Sequence, residues 1–257
     1  MEIAGEEIIE VHACIHCNQP ITGEARYCNH CGALQAVPDI EEAIQKQQRL
    51  VTLSIFFGVH LIICLFSNFT EYTRGIIPLL IVDGVLSTFT LVYVVLFWAE
   101  IKKLFKWKSF SPVKVISYAS AAVIAATVVN YAVKWLNKTI FDTDLYYYSA
   151  FRHLKYAKLA TILMVALQPA IFEELAFRGV MQEGLNKVTD TKQAIFISAF
   201  LFTILHMSFI SFFWLMPFAL WLGYVRMKEK TIWYGMIIHF CFNTTACFLE
   251  FSELNLF

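Results

Sequence analysis

The sequence predicts an all-α polytopic membrane protein of about seven transmembrane helices, with a small four-cysteine module at its N-terminus. Three observations carry this. The 257 residues are 58% hydrophobic and 16% charged, with a mean hydropathy of +0.60, whereas soluble domains carry about 25% charged residues. Apolar runs of about 18 or more residues recur along the chain. Four of the seven cysteines form two Cys-x-x-Cys pairs near the N-terminus, which is metal-ligand spacing rather than a disulfide framework. Basic and acidic residues balance at 20 each, so the overall charge points to no nucleic-acid partner.

Residues 1–38 are polar and hold Cys14, Cys17, Cys28 and Cys31, with Gly32 following the last thiol. Two thiol pairs on tight turns supply four thiolates for a tetrahedral zinc ion. The glycine suits a turn in which the backbone approaches sulfur and φ turns positive. So short a module buries little core, so the metal must hold it together. It resembles a minimal zinc ribbon. A pair of disulfides would need an oxidising compartment, which the topology below argues against. His12, His16 and His30 read as exposed side chains beside a completed four-thiolate site. The first ten residues carry four glutamates and no basic residue, so no cleavable signal peptide is expected.

Residues 39–49 read as a polar, helical linker, and residues 50–257 as the transmembrane domain. The expected spans are 50–67, 76–98, 113–136, 156–180, 193–207, 209–225 and 231–250. Pro78 and Pro112 fall at span starts, where proline is tolerated. Pro217 is expected to bend the sixth span, and Pro169 to kink the fourth and open space beside it. Lysine and arginine set the orientation. Lys46, Arg49, Lys102, Lys103, Lys106, Lys108, Lys187, Lys192, Arg226, Lys228 and Lys230 share one side if the spans alternate. On the other side Arg74, Lys138, Arg152 and Lys155 are diluted by Glu71, Asp142, Asp144, Glu250 and Glu253. The expectation is a cytoplasmic N-terminus and an outside C-terminus in a bacterial plasma membrane. That topology keeps the ribbon thiols reduced, and the ribbon then faces any cytoplasmic partner.

Glu173-Glu174-Leu175-Ala176-Phe177-Arg178 places three charges in the fourth span. A charge at the bilayer centre costs at least about 2.5–3.5 kcal/mol, so ionisable groups there mark functional sites by default. Glu174 and Arg178 have the i, i+4 spacing and the order that favour an ion pair. Glu173 lies about 100° further round the helix and faces something else. His206 ends the fifth span, and His239 and Asn243 share one face of the seventh. At 1.5 Å per residue from the cytoplasmic ends, Glu173 lies roughly 10–18 Å deep, His206 about 20 Å, His239 about 12 Å and Asn243 about 18 Å. The four can meet near the midplane. A desolvated glutamate can act as a general base, and imidazole and amide donors can stabilise an oxyanion. Each also has a structural reading, His206 as an interhelical hydrogen-bond partner and Asn243 as helix glue. His60, Cys64, Cys241 and Cys247 read as packing residues.

Taken together, Glu173-Glu174-x-x-Phe177-Arg178-Gly179, Phe202-x-x-x-His206 and His239-x-x-x-Asn243 resemble the CAAX protease and bacteriocin-processing family of intramembrane proteases. Ser198, Gly223-Tyr224-Val225-Arg226 and Ile232-Trp233 extend the resemblance, which covers about residues 113–250. It implies that Glu173 activates water with His206, that His239 and Asn243 form the oxyanion site, and that Glu174 and Arg178 support them. The substrate implied is a peptide or protein that is membrane-associated or lipidated. The ribbon and the first two spans lie outside the resemblance.

Two other functions fit parts of the pattern. A transporter would carry inverted repeats and broken helices, which the sequence does not show. A non-catalytic scaffold or immunity factor would act through partner binding, yet all the motif residues are present. A His2Glu zinc site is a further chemical alternative. It lacks the His-Glu-x-x-His helix, sits beside the cationic Arg178 and includes the poor zinc ligand Asn243, so a catalytic metal is not expected.

Overall fold

The computed structural model describes residues 11–22, 27–35, 40–70, 75–107, 110–141 and 146–256. Lys108, Arg74, Glu71, Asp142 and Asp144, which entered the charge argument, lie outside them. The chain divides into two compact units, residues 1–49 and 50–257.

In the first unit, β1 (Val11–Ala13) and β2 (Pro20–Thr22) pair antiparallel, with His12 opposite Ile21. Tyr27 and Leu34 form a second, isolated bridge. Each bridge frames one Cys-x-x-Cys turn, and the two turns repeat the same bonds. Asn18 N donates to Cys14 O and Gly32 N to Cys28 O, both at 2.9 Å. The amides of His16 and His30 donate to Cys14 Sγ and Cys28 Sγ, both at 3.3 Å. The residue after each second cysteine is left-handed, Gly32 at φ 73° as expected and Asn18 at φ 59°, asparagine being among the few non-glycine residues that tolerate this region.

Ten α-helices follow among the described residues: α1 (Ile40–Phe69), α2 (Ile76–Leu96), α3 (Trp98–Ile101), α4 (Pro112–Phe141), α5 (Ala157–Thr161), α6 (Gln168–Glu173), α7 (Gln182–Leu185), α8 (Thr191–Ile204), α9 (Phe209–Glu229) and α10 (Trp233–Glu253). The expectation of about seven spans is consistent with this helical framework. Five of the helical runs among the described residues are long and apolar enough to cross a membrane. The fifth span, α8, has 14 residues, about 21 Å at 1.5 Å per residue and short of a ~30 Å hydrocarbon core. It is the short span that the sequence anticipated. The protein is an integral membrane protein.

The fourth span is not one α-helix. Two π-helical segments, π1 (Ile162–Leu167) and π2 (Glu174–Met181), flank α6. Their bonds reach five residues back, from Gln168 N–H to Leu163 O and from Gln182 N–H to Phe177 O. The expected proline kink is therefore accompanied by wide turns on both sides of Pro169, a geometry often found at functional sites.

In the second unit α10 packs against α4 and π1, and α8 against α9. Phe56, Ile101, Phe202, Leu222, Ile232, Tyr234 and Ile238 are fully buried at the centre. Outward residues such as Ile62, Val95, Leu96, Ile116, Ile124 and Val128 are exposed and apolar, as lipid-facing positions require. Buried polar links set the helix ends. Leu104 O accepts from Ile232 N at 3.1 Å and Thr231 Oγ1 at 2.9 Å. Glu183 is held by Arg226 and, at 2.6 Å, by Lys103. Glu250 accepts from the amides of Tyr147 at 3.1 Å and Tyr148 at 2.7 Å.

Candidate active site

Glu174 opens π2 and is fully buried, as is Arg178. Arg178 Nη1 lies 3.0 Å from Glu174 Oε1. Its Nη2 donates to Ala219 O at 3.1 Å, and the guanidinium stands 4.7 Å from the centre of the Phe202 ring. An ion pair removed from water survives only with such extra partners. The same Oε1 accepts from His239 Nδ1 on α10 at 3.0 Å. Because that oxygen belongs to a carboxylate, Nδ1 carries the proton, and Nε2 turns toward Glu173 with 3.7 Å to its Oε2. Glu174 Oε2 has no hydrogen-bond partner among the described residues and rests against Gly235, where a Cβ would lie 2.8 Å away.

Glu173 differs from its neighbour. Its side chain is 33% exposed and opens onto an internal cavity of about 210 Å³. One side of the cavity carries Gln168, Glu173, Phe177, Phe202 and His206. The opposite side carries His60 and Cys64 of α1 and Asp83, Ser87 and Thr90 of α2. His206 stands in the turn after α8 rather than within the helix, exposed at the cavity. Its Nδ1 lies 3.1 Å from Phe202 O. That carbonyl can only accept, so Nδ1 carries the proton and Nε2 remains as an acceptor. Glu173 and His206 thus share a cavity without a direct bond between them.

Asn243 is engaged elsewhere. Its Nδ2 donates to Val165 O in π1 at 2.9 Å. An α-helical ladder would pair that carbonyl with the amide of residue 169, which is proline and has none. His239 and Asn243 share a helix face as expected, but in this structure one holds the acids and the other the Val165 carbonyl. His60 and Cys64, read as packing residues, also line the cavity. His60 Nδ1 donates to Phe56 O at 2.9 Å, and its Nε2 lies 3.2 Å from Thr90 Oγ1. Asp83, Ser87 and Thr90 escaped the sequence reading. Their i, i+4, i+7 spacing on an otherwise apolar helix was the available signal.

The four ribbon sulfurs all lie within 4.8 Å of one another. Cys14 Sγ is 3.7 Å from Cys31 Sγ, and Cys17 Sγ is 3.6 Å from Cys28 Sγ. These are close to the ~3.8 Å edge of a tetrahedron with 2.3 Å metal–sulfur arms, and the group could hold a metal ion. Burial raises the Cys14 thiol pKa, but the amides of Cys17 and His16 and the neighbouring thiols outweigh it and hold the group down at about 6. That direction favours the thiolate, the form that binds metal.

An all-α membrane bundle with a carboxylate and imidazoles gathered around a cavity can support hydrolysis within the membrane. Residues 155–245 match the family model described as type II CAAX prenyl endopeptidase, Rce1-like. Through that segment the chain is similar to a family of membrane proteases. The match spans Glu173, Glu174, Arg178, His206, His239 and Asn243; the ribbon, α1 and α2 lie outside it. No curated protein and no solved structure matches the chain.

Proposed function

We propose that the protein is an intramembrane endopeptidase that hydrolyses a peptide bond of a membrane-associated or lipidated substrate. The observation that carries this is Glu173, partly exposed on a cavity shared with His206, beside a neighbour that is locked in an ion pair. Glu173 takes a proton from water as the oxygen attacks the scissile carbonyl. His206 Nε2 then accepts that proton from the Glu173 carboxyl within the cavity and gives it to the amide nitrogen as the C–N bond breaks and the amine leaves. General acid–base catalysis of this kind contributes about 10²–10⁴ in rate. His239 is fixed by Glu174, so its Nε2 edge is preorganised for the oxyanion once the ring is protonated. The second amide hydrogen of Asn243 is the other donor in this reading.

Glutamate chemistry is preferred over a resident catalytic metal, because Arg178 already sets a fixed positive charge against the acids. The ion of the ribbon is zinc, which suits four thiolates at the observed sulfur spacing. The lysine and arginine asymmetry supports a cytoplasmic N-terminus and an outside C-terminus in a bacterial plasma membrane. A periplasm-active reporter fused after Phe257 then works, and one fused after Lys108 is silent.

Comparative peptidomics of cells carrying the wild-type protein or Glu173→Gln tests the activity. The expected result is a membrane-derived peptide that disappears with the variant. Identical peptide sets, with both proteins present in the membrane, would instead favour a scaffold or immunity role.

A further inference from the structure

The cavity has a wall that the family match does not cover. α1 and α2 close it with His60, Cys64, Asp83, Ser87 and Thr90, all before residue 155. Most of this wall is already bonded internally. His60 is tied to Phe56 and Thr90, and Ser87 Oγ accepts from Gln168 Nε2 at 3.0 Å. Asp83 has neither a hydrogen bond nor an ion pair among the described residues. Five other acids of the helical unit show the contrast. Glu174 has Arg178 and His239, Glu183 has Arg226 and Lys103, Glu229 has Lys114 and Tyr118, Glu250 has two amides, and Glu253 has Lys134. Among the described residues the cavity lining contains no lysine or arginine. A carboxylate inside an apolar span needs a partner, and here the cavity, not the protein, is where one can stand.

We propose that Asp83 is a specificity-determining residue that pairs with a basic side chain of the substrate lodged in this cavity, close to the bond presented to Glu173. The inference rests on Glu173 being the catalytic base. The cavity holds two carboxylates and is walled largely by apolar groups, so it concentrates cations and disfavours anions. Small polar groups at Ser87 and Gln168 leave room for an ammonium or guanidinium to keep its remaining hydrogen bonds. A substrate residue without charge leaves Asp83 unpaired and gains nothing from that wall.

Cys64 lies on the same wall and reports the local field without a substrate. Full-length protein in detergent is treated with a cationic aminoethyl or an anionic sulfonatoethyl methanethiosulfonate, and modification of the Cys64 peptide is followed by mass spectrometry. Relative to a free thiol, the cationic reagent is expected to be favoured by about tenfold, falling severalfold in Asp83→Asn and recovering in Asp83→Glu. A second arm uses two membrane-spanning peptides that differ by lysine or norleucine beside the cleaved bond. The wild-type kcat/KM ratio is expected to favour lysine by about tenfold, mostly through KM, and Asp83→Asn is expected to lose that preference. Equal labelling by both reagents, or a ratio unchanged in Asp83→Asn, overturns the proposal and makes Asp83 a protonated packing residue. Equal cleavage of the two peptides overturns it as well. Cleavage that survives in Glu173→Gln instead overturns the assignment of the base, while the labelling arm still decides the role of Asp83.

Discussion

Glu174 and His239 are 65 positions apart in the chain and meet at 3.0 Å with both side chains buried. This contact fixes the imidazole tautomer and aims its other nitrogen at Glu173. It also couples the fold to the chemistry, because the acid that anchors Arg178 is the one that orients His239.

The two adjacent acids should therefore fail differently. Glu173→Gln removes a base and little volume, and is expected to cut the cleavage rate by at least about 10² without changing the melting temperature. Glu174→Gln leaves a buried guanidinium without its counter-charge and is expected to cost about 3 kcal/mol or more as well as activity. Thermal unfolding in detergent and peptide cleavage, measured on both variants, check this. Equal loss of stability in the two would remove the distinction between them.

Gly235 is expected to tolerate no side chain. Its missing Cβ leaves the space that Glu174 Oε2 occupies. Gly235→Ala should push the carboxylate off Arg178 and His239, at an overpacking cost of about 1–3 kcal/mol. The variant should lose cleavage together with stability. Wild-type activity would show that Glu174 has freedom that its surroundings do not suggest.

Asn243→Ala separates two roles. If the amide mainly serves Val165 O, its loss should cost about 1–3 kcal/mol of stability for an unsatisfied buried carbonyl. If it also donates to the oxyanion, kcat should fall by about 10²–10³ with KM little changed. Unfolding and steady-state kinetics on the same preparation distinguish them, and the proposed mechanism requires the kinetic effect.

Metal should reside in the ribbon alone. Elemental analysis is expected to find about one zinc per full-length chain, and Cys28→Ser should lower it. A chain beginning at Glu41 should hold none and still cleave a membrane peptide in chelator. If that chain is inactive until zinc is added, Glu173, His206 and His239 become metal ligands.

The helical framework was legible because long apolar runs permit few alternatives. The Glu174–Arg178 pair was legible because its geometry is local to one helix. The ribbon followed from cysteine spacing, and Gly32 from the turn that spacing demands. What stayed hidden depends on packing between distant helices. Nothing near His239 in sequence says that its Nδ1 will find Glu174 rather than sit beside Asn243. The Asn243 contact had a trace, since Pro169 deprives Val165 O of its usual donor, but the helix that would supply another could not be read. Asp83 was missed because one acid among Ile, Val and Leu did not break the apolar run, and its importance depends on what α2 faces.

The loose winding of Glu174–Met181 has a consequence for how the two ends of this helix find their partners. Glu174 at one end must point at α10, while Glu183 just beyond the other must reach Arg226 and Lys103. An α-helix would lock the angular phase between those ends to about 100° for each intervening residue. Bonds that reach back five residues break that lock and store the equivalent of a surplus residue. A chain one residue shorter here would turn the Glu183 end by about 100° relative to Glu174. The less regular winding is the geometry in which Glu174 and Glu183 are both paired.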